Sequence, residues 1–260
     1  MTSQERLAAD FRALHLAPPI LVLANVWDVA SAVAVADAPG CRALATSSAG
    51  VAAVLGYPDG ERIPAAEMLD LVARIVRAVG VPVTADLEAG YGDPAATARA
   101  AWAAGAVGLN LEDANGPADE HVERVRAARA AVPALVINAR VDEFLLGGRD
   151  LDVALARAGR YLEAGADCIF VPGVTDAETI GRLVRGIAGP LNVLAFPSTP
   201  PPAELDRLGV ARVSVGSGLM RLQNAETARL AAHFHGGGSF DVLDPATPFA
   251  DLSRRLESGL

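Results

Sequence analysis

The stretch VPVTADLEAGYGDPAATARAAWAAGAVGLNLED (81–113) carries the pattern that decides the fold. A short apolar run ends abruptly in Asp86 and Glu88, and Asp93 stands where a helix N-cap belongs. An alanine-rich, arginine-bearing segment follows at 94–106, made of strong helix formers and closed by Ala104–Gly105. A second apolar run then ends in Glu112 and Asp113. Strand, capped helix, strand is one βα repeat with its acids gathered at the carboxyl ends of the strands.

The same texture extends in both directions. Apolar runs occur at 19–25, 42–48, 81–90, 106–113, 134–142, 167–173, 191–196 and 211–216. Helix-patterned segments lie between them, at 66–80, 94–106, 120–132, 151–166 and 176–189. Near-continuous apolar strands alternating with helices signify a parallel sheet covered on both faces. Asp93, Asp150 and Asp176 read as N-caps, and the pairs at 79–80, 104–105 and 164–165 read as glycine C-caps. Eight strands is the number that closes a barrel, and strand one, followed by ANVWDVASA, lacks the glycine fingerprint of a dinucleotide-binding sheet. The reading is an α/β protein, a (β/α)8 TIM barrel over residues 1–235. Residues 236–260 form a glycine hinge (Gly236–Gly238) and a C-terminal tail.

Composition narrows the chemistry. At 260 residues the chain fits a single barrel. All 22 cationic side chains are arginine, and there is no lysine. Schiff-base chemistry, pyridoxal phosphate attachment, P-loop nucleotide binding and lysine general bases are therefore excluded. Cys41 and Cys168 are isolated, which fits neither a disulfide framework nor a zinc site. A net charge of −9 with dispersed arginines argues against nucleic acid, and no apolar run reaches the ~18 residues of a membrane span. The N-terminal MTSQERLAADFRALH has no apolar core of a signal peptide, so the expected location is cytoplasmic.

A barrel of this kind places its active site at the carboxyl ends of its strands. Those ends supply Asn25, Trp27 and Asp28; Thr46, Ser47 and Ser48; Asp86, Glu88 and Tyr91; Glu112 and Asp113; Asn138, Arg140 and Asp142; Pro172 and Gly173; and Ser214, Gly216 and Ser217. Carboxylates so crowded repel unless they hold a cation or share a proton, and an all-oxygen set suits Mg²⁺, with Mn²⁺ as the alternative. Asp86 and Glu88, two apart, are expected to share the inward face. Arg140 reads either as a fork for a substrate carboxylate or as an internal partner of Glu112 or Glu88. The Ser47–Ser48–Ala49–Gly50 turn offers consecutive N–H groups to an anion.

Four segments together, TSSAGVAAVLGYPDG (46–60), TADLEAGYGD (84–93), GLNLED (108–113) and INARVDEF (137–144), resemble the isocitrate lyase/phosphoenolpyruvate mutase superfamily, methylisocitrate lyases in particular. The resemblance runs from about residue 24 to 219. It implies a barrel whose last helix is exchanged between subunits of a homodimer or homotetramer. It implies a Mg²⁺ site on Asp86, with Asp59, Glu88 and Glu112 reaching the ion directly or through water. It also implies a 2-oxo-carboxylate clamp made of the Ser47–Ser48–Ala49 backbone, Asn138 and Arg140. The implied activity is a Mg²⁺-dependent lyase that cleaves a C–C bond of a small 2-oxo or 2-hydroxy acid through an enolate. Alternatives are C–P chemistry (phosphonomutase or phosphonopyruvate hydrolase), oxaloacetate decarboxylation or hydrolysis, and a non-catalytic barrel that binds 2-oxo acids. The chain departs from the family in the loop after strand four, EDANGPADEHVERVRAA, which lacks the K-[KR]-C-G-H acid/base motif. The strand-six glutamate or histidine of other members falls on Pro172. Tyr57, Tyr91, Asp119, Glu120 and His121 are the replacements available for proton transfer. Tyr91, Glu112, His121 and Arg140 are taken as the catalytic set.

Overall fold

The computed structural model describes residues 1–244 and 246–257. The first barrel strand comes in two pieces, β1 (Leu21–Leu23) and β2 (Asn25–Val26), with a break at Ala24. It is followed by β3 (Leu44–Thr46), β4 (Val83–Asp86), β5 (Gly108–Glu112), β6 (Val136–Arg140), β7 (Cys168–Val171), β8 (Leu191–Leu194) and β9 (Arg212–Ser214). All neighbours pair in parallel, in the order β1-β9-β8-β7-β6-β5-β4-β3-β2. Because β1 and β2 are consecutive, the two ends of this sheet meet and the barrel closes. The eight expected strands are thus nine segments, since the first changes partner from β9 to β3 midway.

Helices α2 (Val29–Ala36), α3 (Ser48–Val54), α4 (Ala65–Arg77), α5 (Pro94–Ala103), α6 (Ala118–Ala131), α7 (Leu151–Glu163), α8 (Ala177–Gly186) and α9 (Pro202–Leu208) connect the strands. Asp93, Asp150 and Asp176 cap α5, α7 and α8 through hydrogen bonds from Ala96 N, Val153 N and Thr179 N. Gly105 (φ 90°) and Gly165 (φ 109°) take the left-handed conformation expected after a helix. Gly80 does not, because α4 already ends at Arg77.

Strand alternation sorts the interior into two environments. Ala85, Leu109, Leu111, Ile137, Ala139, Ile169, Val171 and Val193 face outward into one core with Ala98, Ala101, Val125, Ala128, Ala154, Ile180 and Leu183 of the helices. The alternate residues face the barrel axis, and many are polar. At the amino ends of the strands α1 (Ser3–Ala13) plugs the barrel, with Phe11 packed on Leu21, Leu23, Ala45, Val107 and Val136. The plug fits because residue 108 is glycine: a Cβ there would lie 3.0 Å from Phe11 Cε1 and 2.9 Å from Thr84 Oγ1.

After β9 the regular cover stops. α10 (Gly218–His235) contains no buried residue, and Val22 on the outer side of β1 is 46% exposed. The chain turns at Gly236–Gly238, forms a short 3₁₀ turn at Phe240–Leu243, and ends in α11 (Phe249–Glu257). The tail, expected to pack on a partner subunit, folds back in the single chain onto α2, with Arg255 Nη1 3.1 Å from Asp37 Oδ2. No helix among the described residues is long and apolar enough to cross a membrane.

Two histidines are sealed in this fold. Burial pushes His15 down to about 4, helped by Arg212. Burial also pushes His121 down to about 4, with Arg124 and Arg157 adding to the shift against the pull of Asp113. In the unfolded chain each takes a proton near 6.5, whereas the native state resists it until about 4. Stability is therefore whole above pH 6.5 and is lost as pH falls through that window, by about 1.4 kcal/mol per pH unit for each histidine. Urea denaturation at pH 7, 6, 5 and 4.5, with wild type set against His15→Gln and His121→Gln, separates this loss from the opposite contribution of the raised acids, Glu112 above all. Equal pH slopes in wild type and variants would show that these side chains are not buried as neutral imidazoles.

Candidate active site

The parallel register builds the mouth. Asp86 stands opposite Asn110, and Asn110 opposite Asn138; Glu112 stands opposite Arg140. Each register pair becomes a side-chain contact on the inward face. Asn110 Nδ2 donates to Asp86 Oδ1 at 3.3 Å, and Asn138 Nδ2 donates to Asn110 Oδ1 at 2.7 Å. Arg140 Nη1 lies 2.5 Å from Glu112 Oε2, and Arg140 Nε donates to Asp142 Oδ1 at 2.6 Å.

Arg140 is thus an internal partner of Glu112 and Asp142. Burial works against its charge, yet these two carboxylates hold its pKa above the ordinary arginine value. Burial pushes Glu112 up to about 8, and Asp86, Asp142 and Glu88 add to the shift against Arg140. Asp142 is likewise raised by burial, with Arg140 opposing.

Asp86 is held from the other side by α3. Ser48 donates to Asp86 Oδ2 through its backbone N at 3.1 Å and its hydroxyl at 3.0 Å, and Thr46 Oγ1 accepts from Asp86 N at 2.9 Å. Ser47 is the N-cap of α3 and accepts from Gly50 N, so its hydroxyl faces its own helix. Ala49 lies in the first turn of α3. The expected anion nest at 47–50 therefore already contributes one N–H to Asp86.

Strand alternation does not extend to Glu88. The strand ends at Asp86, and Glu88 sits beyond it at φ 52°, a left-handed turn in which two-residue alternation no longer holds. Its carboxylate accepts from Glu61 N at 2.5 Å and from Tyr91 OH at 3.3 Å. Glu61 in turn accepts from Tyr91 N at 2.6 Å, and both Glu61 and Tyr91 also have φ values above 50°. Burial raises Glu88, with Asp59 and Asp86 adding to it, so its charge still belongs to the mouth. Burial and Glu88 together keep the Tyr91 phenol protonated far above its ordinary range. Asp59 is exposed on the preceding loop, and Tyr57 donates instead to Glu67, away from the acids.

His121 is not brought to the mouth. It is 1% exposed, packed edge-on against Tyr161 with ring centroids 4.4 Å apart, and neither ring nitrogen has a hydrogen-bond partner among the described residues. The cause is α6, whose first turn directs His121 inward against α7 and leaves Asp119 and Glu120 exposed. Asn138 is fully buried beneath Asn110, and its Oδ1 is unpartnered. Asn110 and Glu61 were missed in the sequence. Asn110 was legible as the inward residue two before Glu112; nothing in the sequence marks Glu61.

A family model described as phosphoenolpyruvate phosphomutase matches residues 11–235. The chain belongs to the phosphoenolpyruvate mutase/isocitrate lyase superfamily. It is 33% identical to the 2-methylisocitrate lyase of Bacillus subtilis, over 76% of this chain and 71% of that one. It is also 33% identical to the oxaloacetate decarboxylase of Chromohalobacter salexigens, over 82% of this chain and 80% of that one. Among solved structures, a candidate lyase/mutase from Burkholderia cenocepacia J2315 superimposes with a TM-score of 0.87 at 42% identity, covering 96% of each chain. The protein is accordingly an enzyme of the isocitrate lyase/phosphoenolpyruvate mutase type, and the barrel is that of the superfamily.

The donor chemistry of the mouth fits magnesium. Asp86, Glu88 and Glu112 are hard oxygen donors whose charges disturb one another, with Arg140 as the nearby cation. Among the described residues no three His, Cys, Asp or Glu side chains close into a cage. Magnesium asks for no cage: it meets one or two carboxylates and keeps several waters. Because Glu112 is pushed up to about 8, it holds a proton at neutral pH that must leave when a cation arrives. Calorimetric titration with Mg²⁺ at pH 7 in buffers of different ionisation enthalpy should therefore report proton release, vanishing above pH 8.5. The Asp86→Ala chain should show no binding heat; equal heats for that variant and wild type would remove Asp86 from the metal site.

Proposed function

We propose that this enzyme is a Mg²⁺-dependent lyase that cleaves a carbon–carbon bond in a small 2-hydroxy or 2-oxo carboxylic acid. The observation that carries the reading is the arrangement of one arginine fork, Arg140, beside Glu112 and across the mouth from Asp86. Asp86 would hold the metal, with Glu112, Glu88 and Asp59 at hand through water. The metal, when bound, would neutralise negative charge developing on the oxygen next to the breaking bond.

The chain's own groups do the rest. Arg140 anchors the substrate carboxylate, taking it in place of Glu112. Glu112, free of its own proton once a cation has arrived and of Arg140 once the substrate is bound, takes the proton of the 2-hydroxyl. Tyr91, kept protonated by burial and Glu88, is the side chain nearest the acids able to return a proton to the departing carbon. The substrate is small, since Arg140 is the one arginine clamp read at the strand ends.

One observation favours a second reading, oxaloacetate decarboxylation. The β5–α6 turn, Ala114–Pro117, carries neither thiol nor amine, and the first histidine after it is buried. Loss of CO₂ from a 2-oxo acid leaves a carbanion that water alone can protonate, so a bare turn is compatible with it. Phosphoryl chemistry has less support, because a phosphoryl group calls for more than one cation. For the assembly, a homodimer or homotetramer is proposed, in which a partner's α10 covers the outer face of β1 left open at Val22.

The decisive experiment is a panel with Mg²⁺ at pH 7.5: 2-methylisocitrate, 2,3-dimethylmalate and oxaloacetate followed by 2-oxo acid release or consumption, and phosphonopyruvate followed by ³¹P NMR. Turnover of a hydroxy diacid, abolished by Asp86→Ala and reduced ~10²-fold or more by Arg140→Gln, is the expected result. Turnover of oxaloacetate alone would select the decarboxylase. Tight oxalate binding without any turnover would make the barrel a sensor.

A further inference from the structure

Behind Arg140 lies a second charged assembly that meets the mouth through Arg140. Asp142, which receives the Arg140 Nε, has a side chain 1% exposed, and Asp113 next to it has a side chain 0% exposed. The two are tied by their backbones: Asp142 N donates to Asp113 Oδ1 at 3.0 Å, and Ala114 N donates to Asp142 Oδ2 at 3.1 Å. Asp113 N donates to the Arg140 carbonyl at 3.1 Å. Three hydrogen bonds thus lace the end of β6 to the turn after β5. That turn holds Ala114 and Asn115 at φ 48° and 54°, a conformation L-residues adopt at a cost.

Two buried carboxylates side by side repel, and each needs its own cation. Asp142 has Arg140. Asp113 has Arg157 of α7, whose Nη1 donates to Asp113 Oδ2 at 2.9 Å and to the Gly116 carbonyl at 2.8 Å. Tyr161, one turn further along α7, donates its hydroxyl to the same Oδ2 at 2.8 Å, and His121 packs against its ring. The order of charges is Arg157 plus, Asp113 minus, Asp142 minus, Arg140 plus.

We propose that Arg157 and Tyr161 are positioning residues for the Arg140 clamp: by holding Asp113 in place they hold Asp142, which Asp113 binds through its backbone N–H, and Asp142 sets the plane of the Arg140 fork. The inference rests on the reading of Arg140 as the carboxylate anchor. An arginine presented to a small anion works only in a narrow range of orientations, so a loosened guanidinium loses affinity although it stays at the mouth.

The test uses oxalate as a probe anion, in the full-length protein with Mg²⁺ present, measured by calorimetry. Arg157→Met is expected to weaken oxalate by roughly tenfold while leaving Mg²⁺ affinity in the absence of oxalate unchanged, since Asp86 is held by Ser48 and Asn110 instead. Arg157→Lys, which returns the charge without the fork, should recover part of the loss. Tyr161→Phe, which removes one hydrogen bond and keeps the ring against His121, should give a smaller loss in the same direction. In ¹⁵N spectra the Arg140 Nε–H signal, assigned by its disappearance in Arg140→Gln, should be sharp in wild type and broadened in Arg157→Met. Should Arg157→Met not fold, the Tyr161→Phe affinity and Nε–H signal decide. Wild-type oxalate affinity and an unchanged signal in a folded Arg157→Met or Tyr161→Phe chain would overturn the proposal. If Arg140→Gln itself binds oxalate as wild type does, it is the reading of Arg140 as anchor that fails.

Discussion

The guanidinium of Arg140 is the charge on which the mouth depends. It stands where β5 and β6 are in register, so Glu112 must face it, and it reaches Asp142 on the connection beyond its own strand. Without it, Glu112 and Asp142 would be partly buried acids with no close cation, and both already bind protons more tightly than free carboxylates do. One cation among several acids leaves the site short of positive charge. That shortage disposes it toward a metal ion and an anionic substrate arriving together.

The barrel serves this arrangement by an unusual division of its interior. The hydrophobic work is done outside the strands, where alanine-rich helices press on Leu109, Ile137, Ile169 and their neighbours. Inside, Asn110, Asn138, Asn192 and Ser214 form polar contacts with one another or with the site acids. Such a lining fixes side chains by directional bonds rather than by fit alone. The α1 plug and Gly108 then keep water from entering at the opposite end.

Much of this was legible in the sequence, because the barrel repeats one unit and each repeat carries its own markers. The stretch 81–113 displays strand, cap, helix and strand in order, and Asp93 caps its helix as read. Register was legible by inference for Arg140, and the structure realises the internal pairing with Glu112 that the residues left open. Glu88 reaches the mouth by a route that alternation does not describe: it lies two residues past the end of β4, in a left-handed turn closed by Glu61, a contact across 27 positions that no spacing reveals. His121 lies in a segment that reads as a helix in the sequence, but the pattern does not show which face of α6 its ring takes, and the fold turns it inward. The cooperation of Arg157 with Asp113 lay beyond reach, since it joins groups 44 positions apart.

Arg212 gives the barrel one further property. Its side chain points to the axis from β9, is wholly buried, and finds no hydrogen-bond partner among the described residues for any of its three nitrogens; burial lowers its pKa only to about 10. A lysine there would shed its proton and become a neutral amine, but arginine carries its charge at every pH the protein meets. The cost of removing that charge from water falls as temperature rises, because ion hydration weakens on heating. The centre of this barrel is therefore least comfortable in the cold. Heating relieves that one penalty, at a residue sealed from solvent.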